Sequence, residues 1–457
     1  MASESAAAIA LKAVRRAGWW GTMVTAAAVA APTAAFLASR VLRSSGGESW
    51  ADVETTTADL LTMDTLMLKK SVATVTFFEG DVDVAEAEIG RNCAALLRLN
   101  PWLCGRSRLS GGWKGSLTWP TKVDSFAPPP EDVFVRRDIE GLHRNTDFAD
   151  LFRLLGDRIT PPGPTDRNWL VTLVPDSESP TKRFCVVTCI NHGVGDGHTY
   201  YKCHNMVVGA TDPEPLVCER NREAAEEVDR MSPTTKDTFT APFILGLMLR
   251  KLYGRVTGYQ PAVRTFEVDA EWLAREKERA PKSDPHVKFV SSNDCVTSWF
   301  LRQCRQTSGD MPILGMMAVN FRGRIEGSHN DALAGNYEST VYYLPGDFES
   351  PGLIRRSLAT MRRCGNQTGL GSFSTRVRTP GALISNWTSF CLPPKLRGCR
   401  ELLHRPLFNP EELPPGWALG VVFRPYGNKV ALQVAGPPEL LDHIEAEASG
   451  MRGPPIV

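Results

Sequence analysis

Residues 185–200 read CVVTCINHGVGDGHTY, and the architecture turns on how this stretch is understood. Cys185 to Ile190 is a short apolar run rich in valine, which predicts a buried strand. It breaks off at Asn191-His192-Gly193-Val194-Gly195-Asp196-Gly197, where glycine at every second position suits neither helix nor strand and predicts a tight turn. A buried strand thus delivers His192 to its mouth, with Asp196 four residues on. Histidine has an ordinary pKa of ~6.5, so it can take and return a proton near neutrality. His192 and Asp196 are therefore candidate catalytic residues. Asn191 suits the turn, and the glycines leave room for a substrate beside the backbone. Asn191, Gly193 and Gly197 are accordingly the candidate substrate-binding residues.

Outward from the motif, the first half is a run of strands and helices. Ser71 to Phe78, Trp169 to Val174 and Arg183 to Ile190 read as strands. Asp83 to Leu99 carries apolar residues at helical spacing and stops at Asn100-Pro101. Asp147 to Leu155 reads as a helix, Thr160 to Thr165 as a proline-rich loop, and Thr199 to Val208 as a helix. Residues 209–240 are polar and charged and read as a solvated crossover. Beyond them the grammar repeats. Ile313 to Asn320, Ser339 to Leu344 and Ala382 to Phe390 are expected strands, Cys295 to Cys304 a helix capped by the stretch Ser291-Ser292-Asn293-Asp294, and Trp417 to Val434 a hairpin before a helix from Glu439 to Ala448. The expected division is 1–49, 50–208, a linker at 209–240, and 241–457.

The chain has 457 residues, enough for two to three domains. With 52 basic and 51 acidic residues, no global charge points to nucleic acid. Eleven cysteines, without Cys-x-x-Cys pairs, suit buried thiols in a reducing compartment. His192, Asp196 and His198 offer three metal-capable groups, but no further cluster stands near them in sequence, and no metal site is expected.

The motif resembles the His-x-x-x-Asp-Gly signature of the superfamily that holds chloramphenicol acetyltransferase, BAHD acyltransferases, wax ester synthases and peptide-synthetase condensation domains. His192, Asp196 and Gly197 match it position for position, and Asn191 stands where many members carry a second histidine. Two later segments are similar as well. Arg322 or Arg324 followed by Gly335-Asn336 resembles a strand that ends in arginine before a Gly-Asn pair, and ALISNWTSF resembles a late strand with Ser385 two places before Trp387. The Asp-Phe-Gly-Trp-Gly run of BAHD enzymes is absent; CLPPKLRGCRELLHRP occupies that region.

The resemblance implies an α/β fold of two chloramphenicol-acetyltransferase-like domains in pseudo-repeat, with the active site in a tunnel between them. It implies an acyltransferase moving an acyl group from a thioester to a hydroxyl or amine, with His192 as general base. Ser385 would donate a hydrogen bond to the oxyanion, and Trp387 would line that side. Asp196 would pair with an arginine and hold the turn, or orient His192 in a triad. No cofactor is implied; a coenzyme A thioester would be co-substrate. The expected partners are a small-molecule donor and acceptor, and the expected state is a monomer. A membrane-associated lipid acyltransferase of the wax ester or acylglycerol type, and a catalytically silent scaffold, are the alternatives.

Residues 1–45 differ from the rest. Ala17 to Ser39 is uncharged and alanine-rich between basic flanks, long enough against the ~20 residues a bilayer requires. A membrane anchor, an organellar transit peptide and a signal peptide all fit. The expected location is membrane-associated, with a cytoplasmic or organellar catalytic part.

Overall fold

In a computed structural model, residues 54–68, 70–110, 114–121, 133–159, 168–231, 240–324, 331–365 and 369–446 are described. The N-terminal anchor or targeting segment and the proline-rich loop lie outside them. The strands, in chain order, are β1 (Thr55–Asp59), β2 (Ser71–Glu79), β3 (Arg106–Ser110), β4 (Lys114–Pro120), β5 (Phe134–Arg136), β6 (Trp169–Pro175), β7 (Arg183–Asn191), β8 (Ala262–Glu267), β9 (Leu314–Asn320), β10 (Glu338–Tyr343), β11 (Gly381–Asn386), β12 (Arg400–Leu407), β13 (Ala418–Phe423) and β14 (Ala431–Gly436).

β2 and β7 are buried along nearly their whole length because both of their faces are covered. Alternate residues point to opposite faces of a strand. Val72, Phe78, Val186 and Ile190 pack in one cluster with residues of helices Val82–Leu99 and Gly197–Val207. Ala73, Val75, Phe77, Cys185, Val187 and Cys189 pack in another with Leu151 and Leu155 of helix Phe148–Ile159. Asp81 caps helix Val82–Leu99 by accepting from the amides of Asp83 and Val84, which fixes where the chain leaves β2. The resulting sheet runs β12-β2-β7-β6-β5. A second sheet runs β10-β9-β11-β13-β14-β8, with β9, β11 and β13 parallel, and its core holds Phe300, Met317, Ile384 and Val422. A small third sheet, β1-β4-β3, was not expected. All eleven cysteines are free thiols.

Two features cut across the expected division. β12, assigned to the second half, pairs with β2 from Arg400↔Glu79 to Leu407↔Ala73 and so belongs to the first sheet. Leu403 and Leu407 complete the cluster under helix Phe148–Ile159, a long-range demand that local pattern does not register. Residues 241–457 therefore do not form a closed unit. Nor is 209–240 simply solvated: Leu216 and Cys218 are buried, the Arg220 side chain is only 2% exposed, and Val217 bridges to Leu333.

Candidate active site

β7 ends at Asn191, and the turn after it is built by side chain–backbone bonds. Asn191 Oδ1 accepts from the Gly193 amide at 2.9 Å, and the His192 amide donates to the Lys70 carbonyl at 2.9 Å. A Cβ at Gly193 would lie 2.5 Å from Leu68 Cδ2 and 2.8 Å from the Asp64 carbonyl oxygen. Its missing side chain admits the preceding helix Thr62–Met67 and not a substrate. Asn191 is 1% exposed. Of the three residues expected to bind substrate, only Gly197 lines the cavity that His192 faces; Asn191 and Gly193 shape the turn behind it.

The imidazole is oriented from the second half of the chain. Asn336 Nδ2 donates to Asp64 Oδ1 at 2.8 Å and to the His192 carbonyl at 2.7 Å. Both of those oxygens only accept, so Asn336 Oδ1 faces the ring, 3.0 Å from His192 Nδ1. Nδ1 must then carry the hydrogen, and in the neutral ring Nε2 presents its lone pair. That nitrogen faces Glu338 Oε1 at 3.6 Å. Asp64 is itself fixed by Arg220 Nε at 2.7 Å, and Arg220 also donates to the carbonyls of Cys218, Ala334 and Val194.

Asp196 points the other way. Its Oδ2 takes Arg322 Nη1 at 2.6 Å and the Tyr337 amide at 3.1 Å, and its Oδ1 caps helix Gly197–Val207 through the Thr199 amide at 2.9 Å. The cap explains why that helix starts at Gly197, two residues before the expected Thr199. Arg322 spends its remaining donors on the carbonyls of Leu333 and Gly335, on Asn320 Oδ1 and on Thr199 Oγ1. Burial pushes the Asp196 carboxyl up, but the Arg322 charge, its hydrogen bond and the Thr199 amide outweigh this and hold it below the usual range. Gly335, at φ 137°, sits under the Arg220 guanidinium with no room for a Cβ, which would lie 2.9 Å from Arg220 Cζ.

The cavity between the two large sheets measures about 380 Å³. Ser71, Val72, His192 and Gly197 come from one side; Ala318, Glu338, Ser385, Leu419 and Val421 come from the other. Trp387 Nε1 donates to Ser385 Oγ at 3.0 Å, so the serine hydroxyl keeps its own hydrogen to give. The indole packs edge-on to Tyr201, ring centroids 5.8 Å apart, and its Nε1 would lie 3.3 Å from a Cβ at Gly197. Gly197 thus keeps the helix start close to Trp387.

Glu338, the first residue of β10, is the acid that sequence reasoning missed. Burial pushes its carboxyl up, and His192 offsets this only in part. Among the described residues no arginine or lysine forms an ion pair with it. Asn336 was quoted as part of a similar segment without a role, and Asp64 and Arg220 gave no local signal. His198 lies apart from the ring of His192: its Nε2 donates to the Asp331 carbonyl at 3.1 Å. Among the described residues no group of His, Cys, Asp and Glu could hold a metal ion.

No protein-family model matches the chain, and no curated protein sequence does. Solved structures do. The TRI101 protein of F. graminearum, solved with coenzyme A and T-2 mycotoxin, is 15% identical, with a TM-score of 0.55 over 86% of this chain and 98% of that one. Polyketide synthase associated protein 5 from Mycobacterium tuberculosis is 14% identical, TM-score 0.53, over 85% and 96%. The first condensation domain of the calcium-dependent antibiotic synthetase, in complex with a substrate analogue, is 14% identical, TM-score 0.56, over 85% and 94%. The chain has the mixed α/β, two-halved chloramphenicol-acetyltransferase-like fold.

Proposed function

We propose that this chain transfers an acyl group from a thioester, with coenzyme A as the carrier, to a hydroxyl or amine acceptor, and that His192 is the general base. The observation that carries the reading is the imidazole itself. Nδ1–H is tied down through Asn336, and the Nε2 lone pair opens onto a cavity lined from both sheets. A thioester is already activated, so no acyl-enzyme is needed. His192 Nε2 removes the acceptor's proton as it attacks and returns that proton to the leaving thiolate. Ser385 Oγ–H donates to the oxyanion, with Trp387 holding its oxygen in place. Asp196 acts through Arg322 on the turn and does not touch the imidazole. TRI101 was solved with coenzyme A together with T-2 mycotoxin, which favours coenzyme A and a small molecule as the partners here.

The test is thiol release from acetyl-, long-chain and aromatic coenzyme A thioesters with a screen of acceptors. His192→Ala is expected to stay folded and to lose at least ~10²-fold in rate. Turnover near the parent's in the purified variant would remove the base assignment. A silent scaffold would release no thiol in either form.

A second reading, a membrane-associated lipid acyltransferase, is favoured by one surface feature. Helix Ala241–Thr257 exposes Leu245, Leu249, Leu252, Tyr253 and Val256 along one face, carries Arg250, Lys251 and Arg255, and has no acidic residue. Such a face suits an anionic lipid surface. Gly254 packs against Pro415, two residues beyond cavity-lining Leu413. No helix among the described residues is long and apolar enough to cross a membrane. Flotation with anionic vesicles, lost in Leu249→Ser with Leu252→Ser, would support this reading; binding to no vesicle would remove it.

A further inference from the structure

Two proton acceptors stand side by side on the cavity wall. His192 Nε2, with its lone pair outward, and Glu338 Oε1 stand 3.6 Å apart, and both side chains line the cavity. That gap is too long for a direct hydrogen bond. Two acceptors held so need a donor shared between them. The surrounding charges are already matched: Asp196 with Arg322, Asp64 with Arg220, and cavity-lining Lys70 with Glu412. Glu338 is left as a carboxylate whose nearest cationic partner is an imidazole that must be neutral to act as a base.

We propose that Glu338 is a second proton acceptor of this site, and that the acceptor the site takes is a primary amine entering as its ammonium. The inference rests on the acyl-transfer reading above and names its acceptor class. An alcohol brings one transferable proton and no charge. An ammonium brings three N–H donors, enough to reach both acceptors, and a positive charge that compensates Glu338. Burial strengthens the carboxylate as a base, in the direction this task needs.

The protons balance as follows. Glu338 takes one from the ammonium, leaving a neutral amine with a free lone pair. That nitrogen attacks the thioester carbonyl; the C–N bond forms and the carbonyl π pair moves to oxygen. His192 Nε2 takes a second proton from the now cationic nitrogen. Collapse re-forms the carbonyl and breaks the C–S bond, and His192 gives its proton to the leaving sulfur. Glu338 releases its proton to solvent. Ammonium and thioester become amide, thiol and one proton. In Glu338→Gln the first step has no acceptor, so the amine must arrive already deprotonated.

The experiment uses the full chain, its Glu338→Gln variant and a matched pair of probes, 2-phenylethylamine and 2-phenylethanol. Binding is measured by calorimetry without donor, and transfer by thiol release from the thioesters above. Loss of a charged hydrogen bond is expected to weaken amine binding and amine transfer in Glu338→Gln by about ten- to a hundredfold. Alcohol transfer should fall by clearly less than amine transfer, since an alcohol brings no charge for Glu338 to compensate. The variant's amine rate should also shift to higher pH, toward the amine's own pKa, a movement that mere loss of structure would not produce. Equal loss for both probes, or a parent that prefers the alcohol, overturns the inference. If the amine binds with Glu338-dependent preference but no thiol is released, the ammonium site stands and the acyl-transfer reading beneath it falls.

Discussion

Asp196 follows His192 in sequence and Glu338 faces it in space, and the protein holds these two carboxylates in opposite ways. Asp196 is 1% exposed, bidentate in its partners and charge-matched by Arg322. The Glu338 side chain is about a quarter exposed, and among the described residues its one ion-pair partner is the imidazole. The environment holds the first carboxyl below its usual range and pushes the second above it. The aspartate in the motif therefore serves the turn, while an acid 146 positions from the histidine faces the imidazole. Nearness in sequence and nearness in mechanism have come apart.

That contrast is most sharply broken or confirmed by stability. Asp196→Asn leaves Arg322 as an uncompensated buried charge and is expected to cost about 3–5 kcal/mol. Glu338→Gln removes an acid whose charged form burial penalises, so at neutral pH its melting temperature should equal or exceed the parent's. Denaturant melts of both variants check this; a Glu338→Gln protein as unstable as Asp196→Asn would mean both acids are structural.

Ser385→Ala extends the contrast to the opposite wall of the cavity. Loss of one oxyanion donor is expected to lower turnover by about 10²–10³-fold with little change in KM, because the bond forms mainly in the transition state. A raised KM at unchanged turnover would move Ser385 to ground-state binding.

A smaller effect concerns histidines that do no chemistry. His204 lies buried under β7, with Nδ1 3.2 Å from Thr188 Oγ1, and burial pushes it down to about 4. His404 sits between Thr76 and Tyr201 and is held well below its usual value by burial and by His204. The unfolded chain takes up a proton on His204 near pH 6.5, the folded protein only near pH 4. Protons thus favour unfolding in that window. The stability from keeping His204 neutral is whole above about pH 6.5 and fades as pH falls to about 4. Melting temperature should fall over this range in the parent and less steeply in His204→Gln.

Much of this arrangement was legible because it is local. The strand-turn context of His192, the capping residue of helix Ser292–Thr307 and the strand pair Ala418–Phe423 with Ala431–Gly436 all follow from short-range pattern. The arginine partner of Asp196 could not be picked from sequence, and finding it took geometry. Arg322 turns back under the motif, while Arg324 Nη1 reaches toward the Leu358 carbonyl. The contacts that orient the imidazole join residues 144 and 272 positions apart, Asn336 to His192 and to Asp64. No periodicity or spacing records such pairs. The same holds for β12, whose place is set by pairing with distant β2 and by Leu403 and Leu407 packing in the cluster under helix Phe148–Ile159.

The most direct test of His192 as a base oriented through Asn336 is a double-mutant cycle read by thiol release. Asn336→Ala in the parent removes the bonds to the His192 ring, to the His192 carbonyl and to Asp64, and should slow transfer by about tenfold or more. In a His192→Ala background the same substitution should change nothing, since there is no imidazole left to orient. A tenfold loss that persists without His192 would show that Asn336 acts on something else, and the orientation of the base from the second half would have to be given up.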